Sequence, residues 1–175
     1  MYKVLIVDDE KMIRMGMKKV LPWDELGVGE VYTAATGKEA LEILDEQHPE
    51  ILITDIQMTE MTGLELIEEA KKRVPDLRVI VLTGYDNFEY ARQSLRLKVQ
   101  DFFLKPIEEE ELANAVKNQV EYLEQQKWEE KNRDLHERTQ GAAQQIKLEY
   151  CLRSLIHNRE EKESLLQELE GMKTP

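Results

Sequence analysis

With one cysteine in 175 residues, Cys151, the chain can form no internal disulfide, and no apolar run approaches the roughly 18 residues that a membrane span requires. The three histidines, His48, His136 and His157, are scattered without metal-ligand spacing, which argues against a zinc site. Basic residues are the minority. Lys and Arg number 24 against 36 Asp and Glu, giving a formal charge of -12 and a pI near 4.8, so most of the surface repels nucleic-acid phosphates and anionic lipid head groups. The chain alone is therefore a poor nucleic-acid binder, with no expected membrane contact. Its opening, MYKVLIVDDE, has neither the long apolar stretch nor the small-residue cleavage site of a secretion signal, which makes a reducing cytoplasm the expected location. Also missing is a G-x-G-x-x-G after the first apolar run, which removes a dinucleotide-binding fold from consideration.

What is present is a strict alternation. From Met1 to about Tyr122, KVLIV precedes MIRMGMKKVL, EVYTAA precedes KEALEILDEQ, ILIT precedes GLELIEEAKKR, RVIVL precedes NFEYARQSLRL, and QDFFL precedes EEELANAVKNQV. The strand candidates are continuous apolar runs, as expected where helices cover both faces of a parallel sheet. Five such βα repeats predict a doubly wound α/β domain over residues 1–122, with a five-stranded parallel sheet of the flavodoxin-like kind. Right-handed crossovers then put every strand's C-terminal end on one edge, where such folds bind ligands.

The residues at those ends carry the chemistry. Strand one ends in Asp8 and Asp9, strand three in Asp55, strand four in Thr83 and strand five in Lys105. Asp8 and Asp9 taken alone could cap the helix that follows. With Asp55 they make an oxygen-rich set suited to a hard cation. Magnesium fits best, because it accepts a few carboxylates at about 2 Å, keeps several waters and bridges to phosphate oxygens. A phosphoryl group is the implied partner: Asp55 is the candidate nucleophile, Thr83 a hydroxyl donor and Lys105 a point charge for its oxygens. The run Glu108 to Glu111 opens the fifth helix, where acids favour the dipole, and is taken as structural. Met12, Met15 and Met17 belong to helix packing and surface rather than to a cofactor box.

With LIVDDE, ITDIQM, VLTGY and FFLKP in order, residues 1 to about 122 resemble the receiver domain of two-component response regulators. The resemblance implies that Asp55 is the phosphoacceptor, charged by a sensor histidine kinase. It also implies that Asp9, Asp55 and the Gln57 backbone carbonyl ligate Mg2+, with Asp8 acting largely through water, and that the Lys105–Pro106 bond is often cis. Thr83 and Phe102 stand where the family's switch pair stands, a hydroxyl drawn inward and an aromatic that rotates behind it. Gln57 and Tyr85 occupy positions that tune phosphoryl lifetime. A phosphatase of the haloacid-dehalogenase type also uses an aspartyl nucleophile and magnesium, but needs D-x-D at strand one, which VDDE does not provide. The chain departs from the family pattern in MTEMTG, where Thr59 replaces a common proline and Thr62 precedes Gly63, and at Lys98, where a glycine commonly ends helix four. Lys98 must therefore adopt a left-handed conformation or be replaced by another cap.

Residues 123–175 change character, becoming rich in Glu, Gln, Lys and Arg, with Gly141 and Gly171 as breaks. Helix five is expected to continue through EYLEQQKWEEKNRDLHERTQ, although its heptad seam of Leu112, Val116, Gln119, Leu123 and Gln126 turns polar. A second stripe, with Leu148, Cys151, Leu152, Leu155 and Ile156, and a short ESLLQELEG helix complete a helical linker. Such stripes must pack on each other, on a second copy or on something outside this chain, which makes a homodimer through receiver or linker helices one expected arrangement, with Trp128 a candidate anchor. PWDELGVGE and LTGYDNFEYARQSL are most similar to AraC-type response regulators, which implies transcription regulation through DNA-binding helix-turn-helix units beyond this chain. A stand-alone receiver working by protein-protein contact is the alternative.

Overall fold

The runs KVLIV, ILIT and RVIVL become strands because they sit between two helical layers. In the computed structural model, which describes residues 1–84 and 88–133, β1 (Tyr2–Val7), β2 (Val28–Ala34), β3 (Ile51–Asp55), β4 (Arg78–Thr83) and β5 (Asp101–Leu104) form one sheet. All its pairs are parallel, in the order β2-β1-β3-β4-β5, the doubly wound topology expected. The helices are α1 (Lys11–Val20), α2 (Gly37–Gln47), α3 (Gly63–Arg73), α4 (Phe88–Arg96) and α5, which occupies 109–133.

Two cores flank the sheet. Alternate residues Leu5, Val7, Val79 and Val81 meet Ala40, Leu41 and Leu44 of α2 and Leu64, Leu66, Ile67 and Ala70 of α3. Their neighbours Val4, Ile6, Ile80 and Leu82 meet Leu112, Ala115, Val116 and Val120 of α5. β1, β3 and β4, buried on both faces, have no polar side to show, which is why they read as unbroken hydrophobic runs, while the edge strands β2 and β5 are only partly buried.

Some local departures from the sequence reading have identifiable causes. β2 starts two residues earlier than EVYTAA, at Val28, where the chain pairs with Tyr2. Asp8 and Asp9 do not cap α1: its N-cap is Glu10, which makes no side-chain cap bond. Thr62, the residue replacing the family's usual choice, caps α3 instead, accepting from Glu65 N while the Glu65 carboxylate accepts from Thr62 N. Lys98 takes the left-handed option, with φ 54, and its carbonyl accepts from Lys71 Nζ at 2.6 Å. Gln119, the polar residue in the apparent seam, is buried against the domain, where it accepts from Arg78 Nε at 2.8 Å and donates to Asp101 Oδ2 at 2.6 Å.

Met1–Glu124 forms one compact unit. In the following segment the described residues, 125–133, continue α5, and Trp128 is 67% exposed. Cys151, the two expected linker helices and Tyr85 lie outside the described residues. Among the described residues, no helix is long and apolar enough to cross a membrane.

Candidate functional site

The C-terminal ends of β1, β3, β4 and β5 supply the site, because a parallel sheet delivers them all to one edge. Asp8 follows β1 and is 1% exposed, Asp55 ends β3 at 8%, and Thr83 ends β4 fully buried. Lys105 follows β5 and reaches across the rim. Its Nζ lies 2.7 Å from Asp8 Oδ2 and 2.7 Å from Asp55 Oδ2. One ammonium thus bridges two carboxylates that burial would otherwise set against each other.

The other oxygen of each carboxylate is held by backbone. Asp55 Oδ1 accepts from the N–H groups of Ile56 at 2.6 Å and Gln57 at 3.2 Å, while Asp8 Oδ1 accepts from Glu10 N at 2.8 Å. Arg14, on α1, donates to the Asp8 carbonyl. Burial opposes the charge on Lys105, but its hydrogen bonds to Asp55 and Asp8, with their attraction, outweigh that and raise its pKa above the ordinary 10.5. It is a fixed cation at neutral pH.

Gly63 explains how the loop after Asp55 closes. A Cβ at this position would lie 1.9 Å from the Asp55 carbonyl oxygen, and the Gly63 N–H donates to Ile56 O at 2.8 Å. The start of α3 therefore packs directly on the backbone that carries the carboxylate. In the sequence Gly63 is visible only as a turn residue, because its contact partner lies eight positions away along the chain. Tyr90 was likewise not foreseen: its hydroxyl accepts from Gln57 Nε2 at 3.3 Å, joining α4 to the same loop.

Asp9 points elsewhere than its neighbour, being exposed. Among the described residues no three acidic, histidine or cysteine side chains converge on one point that would hold a metal ion. The donor set nonetheless suits a hard dication. Asp8 and Asp55 are two carboxylates against one ammonium, Asp9 is next to Asp8 in the chain, and the donors on offer are oxygens, which is magnesium chemistry rather than zinc chemistry.

Thr83 and Phe102 share a sheet face. The β4–β5 register pairs Val81 with Phe102 and Thr83 with Leu104, so the alternation places Thr83 on the side of Val81 and Phe102. Phe102 is half-buried, against the α2/α3 core. The Lys105–Pro106 bond is cis.

Residues 4–117 match the family model described as response regulator receiver domain. The transcriptional regulatory protein HptR of Staphylococcus aureus is 39% identical over 112 residues, 64% of this chain and 44% of that protein. Among solved structures, the REC domain of AraT, a response regulator from Geobacillus stearothermophilus, is 40% identical with a TM-score of 0.68, covering 72% of this chain and 98% of that one. A two-component transcriptional regulator AraC from Clostridium phytofermentans is 32% identical with a TM-score of 0.66, covering 74% and 99%. The chain spans about half the length of the curated relatives it matches.

Proposed function

Because the chain belongs to the response regulator receiver family, we propose that Asp55 accepts a phosphoryl group from the phosphohistidine of a sensor kinase. Residues 4–117 are the receiver domain of a two-component response regulator, and its relatives include transcriptional regulators. The observation that carries the chemical reading is the paired 2.7 Å contact of Lys105 with Asp8 and Asp55.

In the proposed step, an Asp55 carboxylate oxygen attacks phosphorus while the P–N bond to the kinase imidazole breaks. The imidazole nitrogen keeps the bonding pair and takes up a proton. Backbone N–H groups of Ile56 and Gln57 hold the nucleophile's other oxygen, so the attacking atom is aimed before the donor arrives. Lys105 follows the developing charge on one phosphoryl oxygen, and the Thr83 hydroxyl donates to another. Asp8, Asp9, Asp55 and the Gln57 carbonyl would hold Mg2+, which supplies neutralisation of the incoming phosphoryl charge. Inward movement of Thr83 opens space on the face it shares with Phe102, and Phe102 fills it. Phenylalanine has no hydroxyl to report its position, so this signal is one of volume.

The unit so assigned covers residues 1–122, with residues 123–175 as a helical extension toward a transcription-regulating, DNA-binding part outside this chain. The similarity to the AraC-named structure supports that output. The reading is of a phosphoryl acceptor rather than a turnover enzyme, working in the cytoplasm, with a second copy of the chain as a further partner.

The test is incubation of the chain with acetyl phosphate and magnesium, read by intact mass. One phosphoryl group per chain is expected, and none on Asp55→Asn. Label retained by that variant would move the acceptor elsewhere, and sustained hydrolysis of small phosphate esters would indicate a phosphatase.

A further inference from the structure

Both residues whose N–H groups hold Asp55 Oδ1 also face α4 or the cleft beside it. The Ile56 side chain is buried and, with Tyr90, Leu64 and Leu97, lines a cleft of about 420 Å³ between α3 and α4. The Gln57 carboxamide donates to the Tyr90 hydroxyl at 3.3 Å. One short path therefore runs from the acceptor's oxygen, through the Gln57 peptide and side chain, to a tyrosine of α4.

That path matters because the described residues of α4 after Phe88 bury little. Over 89–96 the one buried residue is Ser94, 2% exposed, and its hydroxyl has no hydrogen-bond partner. By contrast α3 buries Leu64, Leu66, Ile67 and Ala70. A helix with so small an apolar anchor opens and shifts at low cost, so its few polar contacts help decide where it rests. Its C-terminal end is fastened through the Lys98 carbonyl to Lys71 on α3. Toward its N-terminal end, Tyr90 is the described residue that reaches the acceptor loop.

We infer that Tyr90 is a positioning residue that couples α4 to the acceptor, because its hydroxyl receives the carboxamide of the residue whose N–H holds Asp55. This rests on Asp55 being the phosphoacceptor. Phosphorylation converts a carboxylate into an acyl phosphate and so weakens the charge-assisted bonds from the Ile56 and Gln57 N–H groups. The Gln57 peptide then moves, its carboxamide moves with it, and α4 is released or reseated. This route uses different residues from the Thr83–Phe102 pair, which belongs to β4 and β5.

The experiment is amide hydrogen exchange on the full chain, with and without acetyl phosphate and magnesium, with intact mass read in parallel. In the unmodified chain, phosphorylation changes exchange across residues 89–97. Tyr90→Phe keeps the ring and removes the hydroxyl. It should label to the same extent, yet exchange faster in α4 before labelling by about threefold, the lower range for loss of one neutral hydrogen bond, and lose most of the response to phosphate. Ser94→Ala, on the same helix but off the path, should keep the response. A Tyr90→Phe chain whose α4 responds as the unmodified one does overturns the coupling, as does a Ser94→Ala chain that loses the response equally. Labelling without any change in α4 overturns it while sparing Asp55 as acceptor. Absence of label overturns both.

Discussion

Gly63 shows what one residue can decide. Its missing side chain lets the first turn of α3 lie on the Asp55 carbonyl, where a methyl group would be 1.9 Å away. A backbone atom cannot yield as a flexible side chain can, so Gly63→Ala must push the loop after Asp55 and α3 apart. The expected cost is roughly 1–3 kcal/mol of stability, as for overpacked sites. Acetyl phosphate labelling should slow as well, because the N–H groups aiming Asp55 belong to the displaced loop. Urea unfolding and labelling rate together check this, and an unchanged rate with unchanged midpoint would contradict it. Lys98 shows the reverse case. The place where glycine is usual was legible, and the lysine there does adopt φ 54, a conformation that costs a non-glycine residue stability. Asp8 and Asp9 were legible as a pair but not as opposites. Backbone geometry buries one and leaves its neighbour exposed.

Among the elements, α4 and α5 reveal how polar residues mislead. Gln119 reads as a flaw in an apolar seam until Arg78 and Asp101 are placed on either side of it. A buried amide with both ends satisfied is an orienting contact rather than a defect. Ser94 is the contrary instance: buried with its hydroxyl unpaired, so it carries a desolvation cost without a compensating bond. Ser94→Ala should leave stability unchanged or raise it by up to about 1 kcal/mol, because it removes the unmet group. Leu66→Ala, in the fully buried row of α3, should instead cost about 2–5 kcal/mol. Equilibrium urea denaturation separates the two. A clear loss of stability in Ser94→Ala would mean that its hydroxyl is bonded after all. FEYARQSLR does not mark Ser94 as the buried position, and Leu95, the apolar residue beside it, is exposed.

For the molecule as a whole, the proposed division between an acceptor unit and a helical extension carries its own prediction. Asp8, Asp55, Thr83 and Lys105 all belong to the unit ending at Glu124, so truncation after Gln126 should leave acetyl phosphate labelling close to that of the full chain. Self-association, read by sedimentation velocity, should change more than labelling does, because the exposed Trp128 and the stripe around Leu148 and Leu152 are removed. Equal loss of both properties would contradict the division.

The sequence by itself determined the alternation of strand and helix, the parallel sheet that follows from continuous apolar runs, and the edge on which the acids, Thr83 and Lys105 assemble. Local periodicity and connection handedness are enough for that, since they act over short stretches of chain. Only the tertiary structure decided that Lys105 bridges Asp8 and Asp55, that Gly63 lies on the Asp55 backbone, and that Tyr90 joins α4 to the same loop. Those contacts join residues up to 97 positions apart, and no spacing along the chain encodes a distance set by how whole helices pack.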